Sequence, residues 1–178
     1  QLGAEVIVIE APQGSSARRV GPFAAARDGS MISLTHAAYG RGKRSLVLDL
    51  HTPADRDELR RLACGADVLI ESALPSELAG LGLGPADLAA LNPALVYTSI
   101  TAFGQDGPKA GWPATDLTVL ASACALVLNG DADRAPVRLV VPQAFNMGAA
   151  VAAGATITAL YERGSSGLGQ HVDVAAQT

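Results

Sequence analysis

The sequence predicts an α/β fold, Rossmann-like, with a mainly parallel sheet, and three observations carry that prediction. Short runs rich in Val, Ile and Leu recur at Glu5–Ile9, Ser45–Leu50, Asp67–Ile70 and Leu95–Ile100, each bounded by Gly, Pro or Asp. Stretches with helical spacing alternate with them. The runs are apolar without a polar alternation, the pattern of strands buried on both faces.

The elements follow in order. After the second run, Thr52 is placed to cap a helix, with Pro53 at its first position, Asp55 in its first turn, and Leu59, Leu62 and Ala63 along one side. That gives a strand-helix-strand unit, the crossover that a parallel strand pair requires. Gly84-Pro85 opens a second short helix through Leu88 and Leu91, and Asn92-Pro93 ends it before the fourth run. Thr115 to about Leu128, and Gln143 to Tyr161, read as apolar helices. The second carries Gly148 to Ala155, almost all small residues, so another backbone can approach it closely. Gly167 to Val174 reads as a turn into one more strand. No internal repeat is visible. Because the chain opens at Gln1 and enters a strand pattern at once, it reads as a piece of a longer protein, a partial large domain over residues 1–178.

Composition narrows the function classes. With 178 residues, 49% hydrophobic and 17% charged, the chain can bury one sizeable core. Net charge is −4, and the cations are dispersed apart from Arg41-Gly42-Lys43-Arg44, so no nucleic-acid partner is expected. The longest apolar run, Leu117 to Leu128, falls short of the roughly 20 residues a membrane span needs, so no membrane partner is expected either. Cys64 and Cys124 are far apart in apolar contexts and read as small buried hydrophobes of a cytoplasmic protein. His36, His51 and His171 are too scattered for a metal site, so none is expected.

Familiar motifs fail one by one. Gly80-Leu81-Gly82-Leu83-Gly84 follows a helical segment and lacks the third glycine of a dinucleotide fingerprint. Gly40-Arg41-Gly42-Lys43 lacks the phosphate-loop spacing and precedes a strand, and no Gly-x-Ser-x-Gly elbow occurs.

An ordered series of phrases carries more. Leu2 to Glu10, Gly42 to Leu50, Ala66 to Glu71, Leu91 to Tyr97, Phe103 to Pro108 and Gly167 to Val174 together resemble the class III CoA-transferases of the CaiB/BaiF type. That family includes formyl-CoA transferase and alpha-methylacyl-CoA racemase. The resemblance implies the incomplete N-terminal half of an interlocked-dimer fold about twice this long, paired as a homodimer or as a heterodimer with a paralogue. It implies coenzyme A or acyl-CoA as substrate, with a carboxylic acid as acceptor and no metal.

Residue by residue, the resemblance puts the adenine end of CoA against Leu48 and His51 and the loop Ser72, Ala73 and Leu74. Thr115 joins this set. Where relatives carry an arginine near the phosphates this chain has Ala11, so Arg18, Arg41 and Lys43 are the nearest cations, with Lys43 and Arg18 the binding candidates. The family's nucleophilic aspartate, which attacks the thioester carbonyl and expels CoA thiolate, falls on Phe145. No Asp or Glu lies between Asp133 and Glu162, and the neighbouring Gln143 and Asn146 are amides. Asp116, at a position that lines the reaction centre in relatives, is the candidate catalytic carboxylate; its alternative role is to cap the helix that follows. Three readings result: an acyl-CoA-handling transferase, a catalytically silent subunit beside an aspartate-bearing paralogue, and an acyl-CoA racemase or isomerase. The last is disfavoured because the racemase's aspartate also falls on Phe145 and its histidine on Thr115.

Overall fold

The computed structural model describes residues 3–177, in two compact units, Gln1–Leu59 and Arg60–Thr178. In the first unit, β1 (Ile7–Glu10) and β4 (Arg44–Val47) form a parallel pair with Ile7 opposite Arg44 and Glu10 opposite Val47. The chain between them folds into a 3-10 turn at Ser16–Arg19, an antiparallel hairpin of β2 (Phe23–Ala25) and β3 (Met31–Ser33), and α1 (Leu34–Gly40). None of these was assigned from sequence; the two strands, at three residues each, are too short to display a period. Ser33 fixes the start of α1: its Oγ accepts from the His36 amide at 3.1 Å and donates to the Val20 carbonyl.

α2 (Pro53–Cys64) begins as expected, with Thr52 Oγ1 accepting from the Asp55 amide at 3.3 Å. The boundary between the two units falls inside this helix.

The second unit is built on a parallel sheet in the order β5-β6-β7, from β5 (Val68–Glu71), β6 (Val96–Thr101) and β7 (His171–Ala175). The helices are α3 (Glu77–Gly80), α4 (Pro85–Leu91), α5 (Asp116–Ser122) and α6 (Gln143–Ser166). The register sorts the sheet into two faces. Ile70, Thr98 and Val172 share one; Glu71, Ser99 and Asp173 share the other.

α6 covers the first face, running antiparallel to the strands. Its buried positions are Ala144, Gly148, Ala152, Thr156 and Ala159, a stripe of small residues at helical spacing. Thr156 exchanges a hydrogen bond with Thr98 at 2.8 Å in the buried interior. Near its carboxyl end the Arg163 guanidinium donates to the Ala94 carbonyl at 3.0 Å and to Asp67 Oδ1 at 2.9 Å, at the starts of β6 and β5. Near its amino end a Cβ at Gly148 would lie 3.2 Å from Cβ of Ala176, just past β7. The close approach expected of this small-residue helix is therefore made within the chain. Although α6 has the length and composition of a membrane span, its stripe is spent on the sheet.

Four expectations need correction. The strands that flank α2 have partners other than those expected: β4 pairs with β1 in the first unit and β5 with β6 in the second. Burial along nearly the whole strand is seen in β6, which has a neighbour on each side, with only Ile100 partly exposed, whereas β1, β4 and β5 keep exposed positions. The helix expected from Thr115 to Leu128 breaks after Ser122: Cys124 takes a left-handed conformation at φ 57, and the chain resumes as a 3-10 turn at Ala125–Leu128. Both cysteines are exposed, Cys64 as the last residue of α2 and Cys124 at that break, so neither packs as a core side chain.

Candidate functional site

In an α/β sheet, ligands bind outside the carboxyl ends of the strands, and most of the predicted residues lie there. In the first unit that end is organised by Glu10, the last residue of β1. Its carboxylate is buried, 4% exposed, and accepts four hydrogen bonds. Arg18 donates from Nε at 2.7 Å and from Nη2 at 2.6 Å, Ser45 Oγ at 2.6 Å, and the Ser15 amide at 2.9 Å. The Arg18 guanidinium, with the Ser45 hydroxyl and the Ser15 amide, holds the Glu10 carboxyl well below the usual carboxylate range. The Glu10 carbonyl also accepts from the Leu48 amide at 2.9 Å.

Arg18 and Leu48 are thus brought together around Glu10. His51 follows one turn later, its amide bonded to Asp49 Oδ1 at 3.0 Å. Lys43 stands apart from them. It ends the turn that precedes β4, its amide on the Gly40 carbonyl at 3.1 Å, and is separated from Leu48 by the length of that strand, roughly 16 Å at 3.3 Å per residue. Sequence reasoning missed Glu10; an acid closing an otherwise apolar strand was the available signal.

In the second unit, Ser72, Ala73 and Leu74 follow the carboxyl end of β5. The loop is held by side chains: the Ala73 amide donates to Glu71 Oε2 at 2.6 Å and the Leu74 amide to Glu77 Oε2 at 3.1 Å. Gln105, after β6, ties this edge together, donating from its side chain to Glu71 at 3.3 Å and from its amide to Asp173 at 2.9 Å. Leu74 lines a cleft of about 150 Å³ with Tyr97, Ser99 and His171, on the face away from α6. There Ser99 Oγ and His171 Nε2 are 2.9 Å apart, and burial, with the charges of Glu71 and Asp87, pushes the Tyr97 phenol up. The other residues predicted for binding do not line it.

Thr115 caps α5 and Asp116 is its first residue, while Phe145 lies in the first turn of α6. The N-cap of α5 is Thr115, not Asp116: Thr115 Oγ1 accepts from the Thr118 amide at 3.2 Å while Thr118 Oγ1 accepts from the Thr115 amide at 2.8 Å. Asp116 reaches instead to α6, where its Oδ1 accepts from the Ala144 amide at 2.8 Å. Its Oδ2 is buried and has no partner among the described residues. Ala144 packs with Val119, Leu120 and Ala176, against Ala102 and Phe103 beyond β6. Next to it, Phe145 is 40% exposed, in the first turn of α6. No group of three or more His, Cys, Asp or Glu converges among the described residues.

Comparison with known proteins matches this arrangement to one family. Residues 1–178 match the pattern described as CoA-transferase family III. The chain is similar to the succinyl-CoA:(R)-benzylsuccinate CoA-transferase subunit BbsE of Thauera aromatica, 45% identical over 98% of this chain and 42% of that one. It is also similar to the succinate–glutarate CoA-transferase of Agrobacterium fabrum, 38% identical over 98% of this chain and 44% of that one. Among solved structures, a CAIB/BAIF family protein from Brucella suis superimposes with a TM-score of 0.93 at 37% identity, covering 99% of this chain and 47% of that one. The chain thus spans less than half the length of these relatives.

Proposed function

Since the chain belongs to CoA-transferase family III, we propose that it binds acyl-CoA and takes part in moving CoA between an acyl-CoA and a carboxylic acid. The observation that carries this reading is the match over residues 1–178, joined to a set of candidate residues at the carboxyl ends of parallel strands. Leu48, His51 and the loop Ser72, Ala73 and Leu74 would take the nucleotide end of the thioester. Arg18 and Lys43 are the cations proposed for its phosphates; Arg18 already spends its guanidinium on Glu10, so the exposed Lys43 is the freer of the two. Thr115 and Asp116 belong to the proposed reaction centre. Two unpaired cysteines fit a reducing compartment such as the cytoplasm.

The transfer needs a carboxylate that attacks the thioester carbon, breaks the C–S bond and releases CoA thiolate, leaving a mixed anhydride for the acceptor acid to resolve. Phe145 has no lone pair to offer. Phenylalanine at this position, together with the similarity to a protein named as a subunit, favours a second form of the reading: this chain carries CoA-binding surface while a paired paralogue supplies the aspartate. The partners are then the two substrates and a second chain, the same or a sister one.

Exchange of labelled CoA into an acyl-CoA pool, assayed on the full-length chain alone and with its paralogue, tests both forms. Activity only in the mixture supports the silent subunit. Brisk activity of the chain alone removes it, and absence of CoA binding by calorimetry in either preparation sinks the proposal as a whole.

A further inference from the structure

α6 begins in an unusual way for a helix of 24 residues. Its N-cap is Pro142, which offers no side-chain acceptor and makes no cap hydrogen bond. The acceptor that an N-cap side chain ordinarily presents to the second or third amide comes instead from Asp116, 28 residues earlier, on the Ala144 amide. Asp116 is also in the first turn of α5. One carboxylate therefore sits at the positive ends of two helices at once, a setting that favours its charge while Oδ2 is buried without a donor among the described residues.

We propose that Asp116 is a positioning residue: it caps α6 from outside the helix and thereby holds position 145 at the strand ends. Two further contacts show how tightly that turn is placed. Ala144 is 2% exposed in the cluster with Val119, Leu120 and Ala176. One turn on, Gly148 lies so near Ala176 that an added Cβ would stand 3.3 Å from its Cα. A helix released at its first turn has little room to settle elsewhere without moving residue 145. The inference rests on the proposed acyl-CoA chemistry for its functional consequence, and on the hydrogen bond alone for its structural one.

The test separates the two. On the full-length protein, with its paralogue where activity requires it, Asp116→Ala and Asp116→Asn are compared with the parent by hydrogen exchange and by CoA exchange kinetics. Asparagine keeps an oxygen for the Ala144 amide and removes the charge. Expected are at least tenfold faster exchange at the amides of Ala144 to Met147 in D116A and a much smaller change in D116N; where the loosened turn lowers turnover in D116A, D116N restores most of it, with less than a twofold change in CoA affinity in either variant. Unchanged exchange at those amides in D116A overturns the proposal. So does a D116N protein that keeps its amide protection yet loses as much turnover as D116A, because the carboxylate then acts chemically. If the parent exchanges no CoA, the functional reading fails by itself and the amide comparison still decides the capping.

Discussion

The two compact units are held by different forces. Arg60–Thr178 has an apolar interior: Leu83, Leu88, Val96 and Val119 are at most 1% exposed, and α6 lies on the sheet along a stripe of small residues. Gln1–Leu59 has little of this. Its buried residues, among those described, are Glu10, Ser33, Leu48 and Leu59, and one of them is a carboxylate with four donors. Apolar burial is non-directional and depends on close fit, whereas a buried carboxylate stabilises only while every donor is in place. The second unit should therefore fail through shape and the first through charge.

The largest effect is expected where shape is least forgiving. At Gly169 an added Cβ would overlap the Leu95 carbonyl oxygen, and the Gly169 amide already donates to the Pro93 carbonyl at 2.8 Å. Gly169→Ala should destabilise the second unit by about 3 kcal/mol, the upper part of the range for overpacking, as read by urea unfolding. A near-neutral result would mean that the turn before β7 yields more easily than its contacts imply.

Next comes the charge network. Glu10→Gln keeps the shape but replaces two acceptors by one acceptor and one donor facing Arg18 and Ser45, so several-fold faster amide exchange is expected across β1 and β4, with β6 unaffected. Acid should act on the same place. The folded-state pKa of Glu10 is depressed below the usual 4.5, so its stabilisation is complete above that value and declines as the pH falls below it. Amide exchange followed from pH 7 downward should show the β1 and β4 amides weakening before those of β6. Simultaneous loss would erase the proposed contrast.

Smaller effects probe polar pairs in the apolar unit. Thr156→Val leaves the buried Thr98 hydroxyl without its partner and should cost about 1–2 kcal/mol, while the double variant with Thr98→Val should recover most of it. Thr115→Ala removes the α5 cap and should cost about 1 kcal/mol in thermal unfolding.

Some features were legible because they depend on neighbours within a turn. Thr52 and Pro53 at the start of α2, Gly84-Pro85 at the start of α4 and the end of α4 before Pro93 stand where local backbone chemistry puts them. Gly167, at φ 74, ends α6 for the same kind of reason, although the helix runs to Ser166 rather than to Tyr161. The absence of a carboxylate at position 145 was equally legible, since it is a matter of composition along one segment. The hairpin at Phe23–Ser33 was not, its strands being shorter than the period needed to reveal them.

By itself, then, the amino-acid order determined strands β1, β4, β5 and β6 and the helices with clear caps to within a few residues, and the family phrases that point to CoA chemistry. Only the tertiary structure decided which strands pair, that Arg18 is bound to Glu10, and that Asp116 serves α6 rather than the helix it begins. Local structure is set by torsional preference and short hydrogen bonds, which leave a spacing in the sequence. A contact across 28 residues is set by how the intervening chain packs, and packing leaves no such spacing.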